Sequence, residues 1–121
     1  MPLGHATPIL RMFDEGMARA FYIDWLGFAV TFEHRFGKDM PLYMGIGRDG
    51  LEIHLTEHHG DTTPGTRVRI ATTDVESFYD EIMARGYAYA HPGRPCEMPW
   101  GETALDLTDP FGNRLTFYQR Q

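Results

Sequence analysis

The amino-acid sequence predicts an α+β domain built from a duplicated βαβββ unit, and three observations carry that prediction. Residues 103–118 alternate apolar and polar side chains on two arms, with Leu105 and Leu107 before a turn and Leu115 and Phe117 after it. Period-two patterning on both arms reads as a β-hairpin; Asp109-Pro110 opens the turn and Gly112-Asn113 tolerates positive φ. Two segments with helical spacing each follow an N-capping aspartate, Asp14 or Asp74, and each stops at a glycine, Gly27 or Gly86. Landmarks of three kinds then repeat at nearly one spacing: Asp14 and Asp74 are 60 residues apart, Gly27-Phe28 and Gly86-Tyr87 59, and the turn glycines Gly50 and Gly112 62. Different landmarks in the same order at one offset mark an internal repeat.

Taken in order, residues 6–12 (ATPILRM) read as a short edge strand, because Pro8 cannot donate to a ladder. A helix over 15–26 buries Met17, Phe21 and Trp25 at helical spacing. Residues 28–36, aromatic and β-branched, form a strand. Gly37-Lys38-Asp39 turns the chain, 42–46 is a strand, and 47–50 (GRDG) is a hairpin turn. Residues 51–56 alternate cleanly: Leu51, Ile53 and Leu55 on one face, Glu52, His54 and Thr56 on the other. Residues 58–65 (HHGDTTPG) lack periodicity and form the linker, so one domain spans 1–121 as module one (5–57), linker and module two (66–120). Module two repeats the plan: a strand over 67–72 with Val68 and Ile70 inward, a helix over 75–85 with Val75, Phe78 and Ile82 as its stripe, and a short strand over 87–90. A loop over 91–99 with three prolines leads into the closing hairpin, whose odd-numbered residues face a helix layer and whose even-numbered residues face something polar.

Composition narrows the function classes. A chain of 121 residues with 42% hydrophobic residues supports one core without metal or disulfide staples. Cys96 is the single cysteine, so no intramolecular disulfide forms and a reducing cytoplasm is expected. No apolar run reaches membrane-spanning length. A net charge of -6 argues against nucleic acid as a partner and suits a cationic ligand. No phosphate-cradling glycine loop or nucleophile elbow is present, and Cys96 between prolines has no evident base beside it.

A helix carrying Phe21-Tyr22 and then Leu26-Gly27-Phe28, followed about 80 residues later by the Asp109-Pro110-Phe111-Gly112-Asn113 turn, resembles the vicinal oxygen chelate superfamily. That group includes glyoxalases, extradiol dioxygenases, and fosfomycin- and bleomycin-resistance proteins. Ala6–Leu10 (ATPIL) and Trp100-Gly101 with Thr103 resemble the bleomycin-resistance group in particular. The resemblance covers nearly the whole chain. It implies two βαβββ modules whose curved sheets form a cup with helices outside, often at a homodimer interface. A proline such as Pro8 marks where the first strand can swap between chains.

Metal-using members place one ligand on each of four strands, and the resemblance maps those positions onto Thr7, His54, Arg67 and Thr116. Only His54 ligates, and Arg67 puts a fixed cation where an ion would sit. His5 lies two residues before Thr7 and could join His54, but two histidines without a carboxylate make a poor iron or zinc site. His58 and His59 point opposite ways on an extended chain. No metal and no cofactor is therefore expected.

The expected lining of the cup is Trp100, Glu102, Asp106, Arg114, Thr116 and Tyr118 from the closing hairpin, Glu52, His54 and Thr56 from module one, and Arg67 and Arg69. Phe32, Phe36 and Tyr43 widen it. Rings stack on Trp100 and cationic groups meet Glu52, Glu102 or Asp106. Two plainer readings stand beside this: Phe32 and Phe36 as core, and Arg67, Arg69, Glu52 and Glu102 as cross-strand pairs. The expected function is sequestration of a bulky aromatic or cationic small molecule, bleomycin-like, by a homodimer without catalysis. The alternatives are a metal-dependent lyase or isomerase of the glyoxalase kind, with His5 and His54 holding the ion, and a binder of a small metabolite.

Overall fold

The computed structural model describes residues 1–121. Its strands are β1 (Ile9–Arg11), β2 (Ala29–His34), β3 (Tyr43–Arg48), β4 (Leu51–Thr56), β5 (Arg67–Ala71), β6 (Cys96–Met98), β7 (Glu102–Thr108) and β8 (Arg114–Arg120). Two open four-stranded sheets result, ordered β1-β4-β3-β2 and β5-β8-β7-β6. In each, the first strand of the unit runs parallel to the last, β1 with β4 and β5 with β8, and the other pairs are antiparallel. The architecture is the α+β arrangement that the repeat predicts.

Each unit carries one helix between its first and second strands. Helix α1 opens as a single α turn, Glu15–Ala18, capped by Asp14 accepting from the Met17 amide at 2.8 Å. It continues as a π-helical segment, Arg19–Trp25, closed by the Leu26 amide donating to the Phe21 carbonyl at 3.1 Å. The wider turn puts Ala18, Phe21, Tyr22, Trp25 and Leu26 into the core together. Met17, expected in the buried stripe, is half exposed, because the widened segment rotates the apolar face past it. Helix α2 (Val75–Arg85) starts at Asp74, whose carboxylate accepts from the Ser77 amide at 3.0 Å. It stops at Gly86, where φ is 77°.

The core draws on both units: Leu10, Ile46, Ile53 and Leu55 from the first sheet pack in one cluster with Leu105, Leu107, Leu115 and Phe117 from the second. The odd-numbered face of the closing hairpin is buried, as its alternation predicts. Polar links join the units, and the Arg85 guanidinium donating to the Trp25 carbonyl (3.0 Å) is one of them. The Tyr22 hydroxyl donates to Asp109 (2.7 Å) and the Trp25 indole to the Ile82 carbonyl (2.8 Å). Arg48 donates to both carboxylate oxygens of Glu81 (2.8 Å each), and the Asn113 amide donates to the Arg11 carbonyl (2.8 Å).

Three expected elements differ. Strand β1 begins only at Ile9, so Thr7 and His5 precede the sheet. Residues 87–90 form a turn, not a strand: the Tyr87 ring stacks on Trp25 (centroids 4.8 Å apart, 16° between planes), and this anchor leaves its backbone turning rather than pairing. The missing strand lies within the expected loop, as Cys96–Met98. Pro95 and Pro99 bracket it, which an edge strand tolerates.

Candidate ligand-binding faces

On the polar face of the first sheet, alternation along β4 brings Glu52 and His54 to one side, and Tyr43 joins them from β3. The Tyr43 hydroxyl lies 2.7 Å from His54 Nδ1, and His54 Nε2 lies 2.6 Å from Glu52 Oε1. An ionised carboxylate only accepts, so a neutral imidazole in this chain donates from Nε2 to Glu52 and accepts at Nδ1 from the phenol. Burial, then the charges of Asp61 and Glu52, push the Tyr43 hydroxyl above its usual range, so it remains a donor at neutral pH.

Phe32 completes this surface. Its ring meets His54 edge-on at 5.0 Å and lies nearly parallel to Tyr43 at 6.1 Å. A bulge between Val30 and Phe32 aims it there, and its ring lies over Gly45, where a Cβ would collide with it. Phe36, three-quarters exposed, meets His34 and His58 edge-on at 4.5 and 5.8 Å. Phe32, His34, Phe36, Tyr43, His58 and Asp61 together line an open cavity of about 370 Å³.

The polar face of the second sheet carries Arg67 and Arg69 on β5, Arg114, Thr116, Tyr118 and Arg120 on β8, and Glu102 and Asp106 on β7. Arg69 donates to Glu102 Oε2 at 2.8 Å, and its guanidinium lies 4.1 Å from the Tyr118 ring centroid. The neighbouring Arg69, and after it the Trp100 indole, hold the Glu102 carboxyl below its usual range. Glu102 Oε1 is buried without a hydrogen-bond partner. Thr116 donates to Asp106 at 2.5 Å, and Arg67 reaches Thr116 at 3.4 Å and Asp106 at 3.8 Å. Trp100, on the turn between β6 and β7 before Gly101 (φ 86°), is 67% exposed.

The expected lining residues therefore form two groups: Glu52, His54, Tyr43, Phe32 and Phe36 on one sheet, and Trp100, Glu102, Asp106, Arg67, Arg114 and Tyr118 on the other. Within one chain no hydrogen bond, ion pair or ring contact joins the groups. Gly45, His34 and Asp61 escaped the sequence reading, and His58 was assigned to the linker and not to this surface. Gly45 had a usable signal: two glycines inside an apolar strand, Met44-Gly45-Ile46-Gly47, mark a close approach by another group. His58 and Asp61 lie in the linker, where no regular pattern reports a side chain's direction, and His34 follows the β2 bulge, which breaks the alternation that would assign its side.

The residues do not fit a resident metal ion. No group of three or more His, Cys, Asp or Glu side chains comes together to hold one. Both ring nitrogens of His54 are engaged, and Thr116 is buried and bonded to Asp106.

The family whose description is glyoxalase superfamily protein matches residues 2–121. The chain belongs to the glyoxalase superfamily. Solved structures place this superfamily member among bleomycin-binding and bleomycin-resistance proteins in fold. A bleomycin-binding protein complexed with bleomycin is 26% identical with a TM-score of 0.75, over 98% of this chain and 100% of that one. The bleomycin resistance determinant encoded on the transposon Tn5 is 26% identical with a TM-score of 0.77, over 98% and 99%. The bleomycin-binding protein of bleomycin-producing Streptomyces verticillus, complexed with copper(II)-bleomycin, is 24% identical with a TM-score of 0.73, over 100% and 99%. No curated protein matches the chain by sequence. No helix of this superfamily member is long and apolar enough to cross a membrane.

Proposed function

We propose that this glyoxalase-superfamily chain binds and sequesters a bulky aromatic small molecule, bleomycin-like in size and ring content, without turnover and without a metal. The observation that carries the reading is that exposed rings and charges are fixed in place by their neighbours. Tyr43, His54 and Glu52 form one hydrogen-bonded chain beneath Phe32. Arg69, Glu102 and Tyr118 form a second group beside Trp100. Side chains ordered before a ligand arrives lose little entropy on binding, which favours affinity. The two relatives at 26% identity, one bleomycin-binding and one a bleomycin resistance determinant, support the same reading.

A homodimer in the cytoplasm is part of the proposal. A second copy would lay its own polar sheet over the exposed one and convert two open faces into a cleft. Trp100, Glu102, Asp106, Arg67, Arg114 and Tyr118 would then face Phe32, Phe36, Tyr43, His54 and Glu52 of the other copy.

Intrinsic fluorescence tests the proposal. Trp25 is 1% exposed and Trp100 67%, so quenching by an added ligand reports Trp100. Titration with bleomycin is expected to quench saturably at micromolar concentration, and Trp100→Phe to abolish the response. An unchanged spectrum, with calorimetry showing no heat, would exclude bleomycin-like ligands.

A further inference from the structure

We propose that the polar face of the second sheet is an oxyanion subsite, in which Arg67 and Arg114 together take a carboxylate, phosphate or sulfate group of the ligand. The inference rests on the binding reading above and adds to it the chemistry of one ligand group.

The face departs from the rest of the molecule in charge. The chain carries 17 Asp and Glu against 11 Lys and Arg. On this face the balance reverses: Arg67, Arg69, Arg114 and Arg120 stand against only Glu102 and Asp106. Glu102 is committed to Arg69 at 2.8 Å, so Asp106 is the one carboxylate left for three guanidinium groups.

Register sharpens the point. Arg67 and Arg114 are direct partners across the parallel β5–β8 ladder and project from the same face. Like charges directly opposite one another oppose pairing of the strands. No side chain resolves this one: Arg67 reaches Asp106 only at 3.8 Å, and the exposed Arg114 side chain makes no hydrogen bond or ion pair. Asp106 is itself occupied by the Thr116 hydroxyl at 2.5 Å, and Thr116 in turn accepts from Arg67 at 3.4 Å. The carboxylate and hydroxyl thus orient Arg67 without neutralising the pair. An oxyanion bridging the two would relieve the repulsion, and a planar guanidinium offers parallel donors that match carboxylate and phosphate geometry. Extended nucleic acid does not suit a chain with net charge -6, so a small anion is the occupant.

The test compares phenyl phosphate, benzoate and inorganic phosphate with benzylamine, each titrated by calorimetry into the wild-type chain, Arg67→Gln, Arg114→Gln and Arg19→Gln. Arg19 pairs with Glu15 and Glu33 away from this face and controls for lost surface charge. Phenyl phosphate is expected to bind at millimolar concentration and to weaken about tenfold in each of the Arg67 and Arg114 variants, with Arg19→Gln unchanged. Circular dichroism confirms that each variant is folded, and Arg114→Lys keeps the charge if Arg114→Gln is not. Binding of benzoate and phenyl phosphate without inorganic phosphate marks a ring-bearing anion; binding of all three marks a general anion site, and either supports the subsite. Equal affinity for benzylamine, no anion binding, or indifference to both substitutions would overturn it. If bleomycin still quenches Trp100 in that event, the subsite alone is lost; if neither binds, the binding reading falls as well.

Discussion

Tyr22 shows how one side chain ties the repeat together. It is buried in the core, and its hydroxyl donates to Asp109, the residue that opens the closing turn. Asp109 also accepts from the Phe111 and Asn113 amides and the Asn113 side chain, so this buried carboxylate is fully satisfied. Burial first, then Asp109, pushes the Tyr22 hydroxyl well above its usual range. Tyr22→Phe deletes a hydrogen bond to a buried charge and is expected to destabilise the fold by about 1–3 kcal/mol, measured by urea unfolding. A variant as stable as the wild type would show that the remaining three donors suffice. In alkaline solution the unfolded chain loses the Tyr22 proton first. The contribution is therefore complete below the ordinary phenol range and falls as pH rises from there towards the raised folded value.

Two elements carry predictions of their own. In β3, an added Cβ at Gly45 would lie 2.6 Å from Thr31 Oγ1 and collide with the Phe32 ring. Phe32 is 39% exposed and Thr31 must shift as well, so Gly45→Ala is expected to weaken ligand affinity severalfold and to cost about 1–3 kcal/mol of stability. A large loss of stability with unchanged affinity would mean the strand itself depends on the glycine. Helix α2 is joined to the β3–β4 hairpin through Glu81. Arg48 first, and Arg85 more weakly, hold the Glu81 carboxyl below its usual range against the opposing effect of burial. The folded chain thus releases this proton more readily than the unfolded one. The resulting stability is present above the ordinary carboxylate range and is lost as pH falls through the lowered folded value. Glu81→Gln is expected to flatten the acid limb of a melting-temperature profile, and an unaltered profile would assign that limb to other carboxylates.

At the scale of the molecule, two open sheets share one core and leave both polar faces uncovered. Exposed Ile9 and Phe32, on the His54 face of the first sheet, suit burial against a second copy. Light scattering is expected to give twice the mass of one chain. A monomer at high concentration would leave each polar face as a separate, shallower site, and bleomycin binding would then have to survive in the monomer.

Elements whose patterning repeats over several residues are legible in the sequence alone. The closing hairpin, β4 and α2 declare themselves by alternation or by a capped helical stripe, since one face of each must be buried and local chemistry sets both ends. The aromatic and charged residues of the two faces were also legible, because alternation along a strand assigns a side. Tertiary contacts decided what short-range pattern cannot encode. Tyr87 turns because Trp25 anchors its ring, Cys96–Met98 becomes a strand because β7 offers a free edge, and Met17 surfaces because α1 widens into a π turn. The same holds for the candidate site: Arg67 opposes Arg114, and Tyr43 meets His54, only once strands far apart in the chain pair in register. A residue's side of a strand is a local property, whereas its neighbour across the ladder is fixed by the packing of the whole chain.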